Sequence, residues 1–112
     1  LLVGREDKTV HKVMLALDAT EDVIEQAVLQ GVDLLLTHHP LLFSSIKRIT
    51  EADFTGRRLL KLIRNDICYY AMHTNFDVLD GGINDTLTKL LKLENVQIIN
   101  GEVGKDNFFI GE

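Results

Sequence analysis

The chain predicts an α/β fold: a largely parallel sheet with helices on its faces. Three observations carry that expectation. Apolar runs of strand length alternate with stripes at helical spacing, in the order βαβαβαβ. The run Val32 to Leu36 is apolar almost without alternation, the pattern of a strand covered on both faces. A strand, a helix and a strand follow in quick succession between Val10 and Leu36, as in a right-handed βαβ unit.

The first strand runs from Val10 to Leu17 and stops on Asp18-Ala19-Thr20. Thr20 is the expected N-cap of the next helix, and Glu21 and Asp22 suit the positive end of its dipole. Asp18 is expected to be structural, since carboxylates just ahead of a helix commonly cap it. Val23, Ile24, Ala27 and Val28 form the helix's inner stripe, and Gly31 is its natural stop. The second strand then ends on Thr37-His38-His39-Pro40, where half of the 4 histidines and the sole proline stand together. The loop from Leu41 to Thr50 is unusually apolar and is expected to pack on something.

Thr50-x-x-Asp53 resembles a capping box and predicts the start of a second helix. Ala52, Gly56, Leu59, Leu60 and Ile63 would face inward, leaving Arg57, Arg58, Lys61 and Arg64 largely outside the stripe; a solvated basic face is the expected reading, with phosphate binding as the lesser alternative. Ile67 to Met72 reads as the third strand, followed by His73-Thr74-Asn75-Phe76-Asp77. Asp80-Gly81-Gly82 opens a third helix with an Ile83, Leu87, Leu90 and Leu91 stripe. Val96 to Ile99 is the fourth strand, Asn100-Gly101 a turn, and Phe108 to Ile110 begins a further element. Leu1-Leu2-Val3 reads like the middle of a strand. Both ends look cut, so residues 1–112 are read as a single α/β lobe of a longer protein.

Bulk properties narrow the function. A net charge of -5 argues against a general nucleic-acid binder, which needs a basic surface to displace counterions. No apolar run approaches the roughly 20 residues that cross a membrane. The single cysteine, Cys68, lies inside an apolar run, where it behaves as a small hydrophobe; a reducing, cytoplasmic setting fits.

In parallel α/β sheets ligands bind beyond the carboxyl ends of the strands. The predicted strand ends carry Asp18, His38-His39, and His73 with Asp77, whereas His11 falls at the opposite edge. Imidazole and carboxylate together suit zinc, iron, manganese or nickel. Successive side chains on an extended backbone point to opposite sides, and Pro40 biases His39 toward that conformation. The pair is therefore an awkward clamp for one ion, which leaves either two ions with one imidazole each or one ligand and one bystander. The bland reading stands beside it: polar residues leaving a sheet, a satisfied histidine at 73 and a turn or cap aspartate at 77. Spacing alone does not choose between them.

The THHP and HTNFD stretches, with Leu15-Ala16-Leu17-Asp18-Ala19-Thr20, Leu1-Leu2-Val3-Gly4 and Gly81-Gly82-Ile83-Asn84-Asp85 in the same order, resemble the N-terminal part of a known family. This is the dinuclear-metal-centre hexameric family, also called NGG-interacting-factor-like or GTP cyclohydrolase I type 2 homologues. The resemblance implies two similar α/β lobes around two divalent metal ions, assembled as a homohexamer. It implies His38, His39 and Asp77 as metal ligands, with His73 beside them to orient a ligand or shuttle a proton. A further histidine and glutamate, four residues apart in the family's C-terminal part, have no match here. The function implied is a metal-dependent hydrolase acting on a nucleotide or other phosphate-bearing substrate, with activated water rather than a side chain as nucleophile. The alternative is a non-enzymatic metal-binding scaffold or regulatory protein acting through its oligomeric ring.

Overall fold

A computed structural model describes residues 1–98 and 109–110, and divides the chain into two compact units, Leu1–Met72 and His73–Glu112. The first holds β1 (Val13–Ala16), α1 (Glu21–Leu29), β2 (Leu34–Thr37), α2 (Phe54–Arg64) and β3 (Cys68–Ala71). Its three strands form one sheet in the order β1-β2-β3, parallel throughout, with Met14 beside Leu35 and Leu35 beside Tyr69. The α/β class with a parallel sheet is as the sequence predicts.

Register parity decides what is buried. Leu35 and Tyr69 are fully buried and share a core with Ile24, Ala27, Val32, Leu62 and Ile67, with Met14 and Ala16 packed against it. The other parity places Leu15 beside Leu36 and Leu36 beside Tyr70, and there Leu15 is 73% exposed. The apolar run of β2 suggests burial on both faces. The strand instead alternates, half-buried at Leu34 and Leu36 and buried at Leu35 and Thr37.

Helix α1 forms as its sequence signals. Thr20 is the N-cap, its hydroxyl accepting from Val23 N at 3.2 Å, and Gly31 leaves the helix at φ 61°. Helix α2 differs at its start. Its N-cap is Asp53, not Thr50: Asp53 Oδ1 accepts from Gly56 N at 2.7 Å. The backbone of Thr50 is folded against Gly56 so closely that a Cβ there would lie 1.9 Å from the Thr50 carbonyl oxygen. Thr50 thus packs on the first turn instead of capping it. The buried stripe is Gly56, Leu59 and Leu62, while Ala52 and Ile63 are exposed. Spacing of three from Gly56, the residue of closest approach, brings Leu62 rather than Ile63 to the core.

Strand β3 buries Cys68 as expected. Its outer edge is met by Val3, through an isolated antiparallel bridge to Tyr69 with Tyr69 N donating to Val3 O at 2.8 Å. The predicted strand at Leu1-Leu2-Val3 is reduced to this bridge. At the opposite end of the sheet, Asp33 Oδ2 accepts from the backbone N–H groups of His11 and Lys12, each at 2.9 Å. Those two donors, helped by Lys8, hold the Asp33 carboxyl below its usual range.

The second unit contains a short helix the sequence reading lacks, α3 (Thr74–Asp77), and then α4 (Ile83–Leu91). Gly82 starts α4 where a Cβ would meet the Phe76 carbonyl oxygen at 2.1 Å. The expected stripe of α4 is largely exposed at Leu87, Leu90 and Leu91. The fourth strand is β4 (Gln97–Ile98). It does not extend the parallel sheet but pairs antiparallel with β5 (Phe109–Ile110). The Asn100-Gly101 turn lies outside the described residues.

Candidate metal centre

The carboxyl end of β2 is built around a buried hydroxyl. Tyr69 points into the core from β3 and is fully buried, so its O–H needs a partner there. It lies 2.7 Å from Thr37 Oγ1, accepts from Leu41 N at 2.8 Å and lies 3.1 Å from the carbonyl oxygen of His39. Thr37 Oγ1 also reaches that carbonyl, at 2.8 Å. Each hydroxyl has one proton, and the shorter distances favour Tyr69 donating to Thr37 and Thr37 donating to His39 O. His39 N donates to Leu17 O at 3.0 Å. The THHP turn is therefore fixed from both sides by groups of the core and of the β1 end.

That turn sets the two imidazoles. His38 Nδ1 is 2.9 Å from the carbonyl oxygen of Met72 and His39 Nδ1 is 2.8 Å from Asp18 Oδ1. A carbonyl can only accept, so the proton is on Nδ1 of His38, and the Asp18 carboxylate selects the same tautomer for His39. In this tautomer Nε2 carries the ring's lone pair, the form in which imidazole coordinates a metal. The ring centroids are 5.0 Å apart, tilted by 58°. The expectation that the two rings point to opposite sides is thus corrected: the chain bends directly after β2, because the Thr37 hydroxyl, itself held by Tyr69, draws the His39 carbonyl inward. The argument from opposed rings to two ions loses its basis, and the spacing of these rings does not by itself favour one ion or two.

Asp18 is also corrected. Thr20 holds the cap of α1, and Asp18 binds His39 instead. Neighbouring parallel strands end side by side, which is the signal that could have paired them. Tyr69 and the Met72 carbonyl were missed as well; a tyrosine inside an apolar strand is a cue that its hydroxyl is spoken for.

In the second unit, His73 occupies the N-cap position of α3 without a side-chain cap bond, and its carbonyl accepts from Phe76 N and Asp77 N at 2.8 and 3.3 Å. Asp77 is half-buried at the end of α3, its carbonyl accepting from Asn84 Nδ2 at 2.9 Å. The structure thus sets His38 beside His39 in one unit and His73 close to Asp77 in the other. Among the described residues no group of three or more His, Cys, Asp or Glu stands ready to hold an ion. His11 is exposed at the far end of the sheet, as expected.

A small pocket of about 210 Å³ opens beside the imidazoles, lined by Asp18, His39, Pro40, Phe54 and Arg58 among others. A larger cleft of about 600 Å³ lies along α1 and α2. It is lined by the ion pairs Arg57–Glu21, Lys61–Glu25 and Arg64–Glu51 and contains no imidazole, so the smaller pocket is the chemically relevant one.

The model of the Duf34/NIF3 (NGG1p interacting factor 3) family matches residues 1–110. The chain belongs to the Duf34/NIF3 family. It is 50% identical over 91 residues to the GTP cyclohydrolase 1 type 2 homolog of Clostridium perfringens, covering 81% of this chain and 35% of that protein. It is 41% identical over 99 residues to the Bacillus subtilis protein of the same name, covering 88% and 26%. Among solved structures, a Bacillus cereus protein related to NIF3 superposes with a TM-score of 0.80 at 41% identity, covering 88% of this chain and 27% of that one. Reduced HcgD from Methanocaldococcus jannaschii also gives 0.80, at 40% identity, covering 89% and 40%. The chain spans 35% and 26% of the two Duf34/NIF3 relatives named first.

Proposed function

We propose that this Duf34/NIF3 chain supplies part of a metal centre in a metal-dependent hydrolase acting on a nucleotide or other phosphate-bearing substrate. One observation carries the reading: both adjacent imidazoles are tethered through Nδ1, one to a carboxylate and one to a backbone carbonyl. Such outer partners orient a ligating histidine and raise its basicity. His38 and His39 would hold a divalent ion, with Asp77 as the third ligand by family resemblance. The same resemblance calls for two ions, completed by a histidine and a glutamate that residues 1–112 do not match. Zinc, iron, manganese and nickel all suit such donors. When bound, the metal acidifies water and polarises a phosphoryl or carbonyl oxygen. His73 would orient a ligand or move a proton. The names of the relatives are the support for a nucleotide substrate. Cys68, buried and single, fits the reducing interior of a cell, and no helix among the described residues is long and apolar enough to cross a membrane.

The test is elemental analysis of the full-length protein loaded with each metal, paired with turnover of nucleotides and phosphoesters. Close to one atom per chain or more, lost in His38→Ala and His39→Ala, supports the centre. Less than about one atom after careful loading removes it, because a folded His/Asp site fills readily.

A second reading, a metal-binding scaffold acting through a homohexamer, is favoured by the aliphatic residues Val13 and Leu15 on β1 and Leu17 just beyond it, all exposed. His39→Ala separates the two. Lost turnover in an intact oligomer supports the enzyme; lost assembly or partner binding supports the scaffold.

A further inference from the structure

Helix α2 carries four basic residues, and they are not alike. Arg57 pairs with Glu21 at 3.1 Å, Lys61 with Glu25, and Arg64 with Glu51 at 2.7 Å. Arg57 and Arg64 are exposed and Lys61 is half-buried, and each is engaged by a carboxylate at the surface, as fits the basic face expected of the helix. Arg58 departs from it. It is half-buried, its Cζ lies 5.2 Å from the Phe54 ring centroid, and its Nε is buried with no hydrogen-bond partner. Among the described residues it makes no ion pair, although it lines the 210 Å³ pocket together with Asp18.

Arg58 also borders the larger cleft that Glu21 and Glu51 line, yet it is bonded to no carboxylate among the described residues. A guanidinium held on an aromatic face and not engaged by an ion pair is pre-organised for a planar or tetrahedral anion. It does so in the pocket that His39 also lines. The carboxylate of Asp18 is already engaged by His39 Nδ1, so it opposes an incoming anion less than a solitary carboxylate would. The volume is below the roughly 300–1,000 Å³ that encloses a drug-sized ligand. It suits one anionic group of a larger substrate, not a whole nucleotide.

The geometry points to Arg58 as an anion-binding residue that receives a phosphate group of the substrate beside His39. This deepens the hydrolase reading and rests on it for the site's purpose, but not for the binding itself. Arg57, two hydrogen bonds into its own surroundings, has no such part.

Full-length metal-loaded protein titrated with inorganic phosphate tests it, using Arg58→Gln, Arg58→Lys and the control Arg57→Gln. Arg58→Gln is expected to weaken phosphate binding about tenfold or more, the worth of a charge-assisted hydrogen bond. Arg58→Lys should lose less, and Arg57→Gln no more than about twofold, as for a screened surface charge. Metal content and thermal midpoint measured on the same samples should match wild type. Unchanged affinity in Arg58→Gln, equal loss in Arg57→Gln, or no phosphate binding by the wild type would each overturn the assignment. Repeating the titration after chelation keeps the two readings apart. Loss of the metal reading shows in the elemental analysis, while the dependence on Arg58 is read with or without metal.

Discussion

His39 and Asp18 join two neighbouring strand ends: the imidazole Nδ1–H donates to Asp18 Oδ1 at 2.8 Å, across a separation of 21 residues. The carboxylate thereby fixes both the ring's orientation and its tautomer. Asp18→Ala is expected to lower metal affinity roughly 10–100-fold, the usual effect of losing such a partner. It should leave α1 intact, because Thr20 caps it. Thr20→Ala should do the reverse, costing about 0.5–2 kcal/mol of stability with no change in metal affinity. Competition titration against a metal-binding dye and urea unfolding of both variants check this opposed pair of effects.

The histidines are expected to separate by role. His38→Ala and His39→Ala in the full-length protein should each lower the bound metal. His73→Ala should retain metal and lose about 10²-fold or more in turnover, as for a residue engaged in proton transfer. Metal content and steady-state rates on the same preparations decide it. Metal loss in His73→Ala would make His73 a ligand instead.

Tyr69→Phe removes one oxygen from the core and strands two groups that met it, Leu41 N and Thr37 Oγ1. A cost of about 1–3 kcal/mol is expected, since buried polar groups are left unsatisfied. The variant should also weaken metal binding without touching a ligand, because the Thr37 hydroxyl that anchors the His39 carbonyl loses the partner that holds it. Chemical denaturation and metal titration, run together, measure both.

Asp33 gives an acid limb to stability. The backbone N–H of His11, then that of Lys12, stabilises its carboxylate and depresses its pKa below the ordinary 3.8. In the unfolded chain the group protonates near 3.8, and in the folded chain only at lower pH. The stabilisation is therefore complete above about pH 4 and is lost as pH falls through the folded value. Asp33→Asn should flatten that limb. Urea midpoints from pH 6 to pH 2 for both proteins provide the comparison.

Much of the first unit was legible because its signals are local. The cap at Thr20, the stop at Gly31 and the strand ends expected at Leu17, Leu36 and Met72, each within one residue of the observed Ala16, Thr37 and Ala71, follow from a few adjacent residues. The errors share a cause in long-range contact. Thr50 and Asp53 are both competent caps, and the approach of the Thr50 backbone to Gly56 chose Asp53. Leu62 rather than Ile63 faces the core because of that same approach. The partner of β4 is Phe109–Ile110, distant in sequence, so its antiparallel pairing could not be read from Val96 to Ile99 alone. At the site, the adjacency of the two histidines was visible, but their orientation was not. The extended-chain rule that sends neighbouring side chains apart gave way to the Thr37 hydroxyl, backed by Tyr69, pulling on the His39 carbonyl. The pairing of His39 with Asp18 was hidden by a more common local role for an aspartate ahead of a helix.

The hydrogen bond from Leu41 N to Tyr69 has a kinetic meaning. Amide protons in surface turns ordinarily trade with solvent through small local openings, whereas those in a sheet wait for a cooperative one. The Leu41 amide ends on a hydroxyl that is fully buried in β3. Its deuterium exchange should follow that of the Leu35 and Tyr69 amides rather than that of the loop beyond it, and it should accelerate to loop-like rates in Tyr69→Phe. A turn carrying two histidines would then share the lifetime of the sheet it leaves.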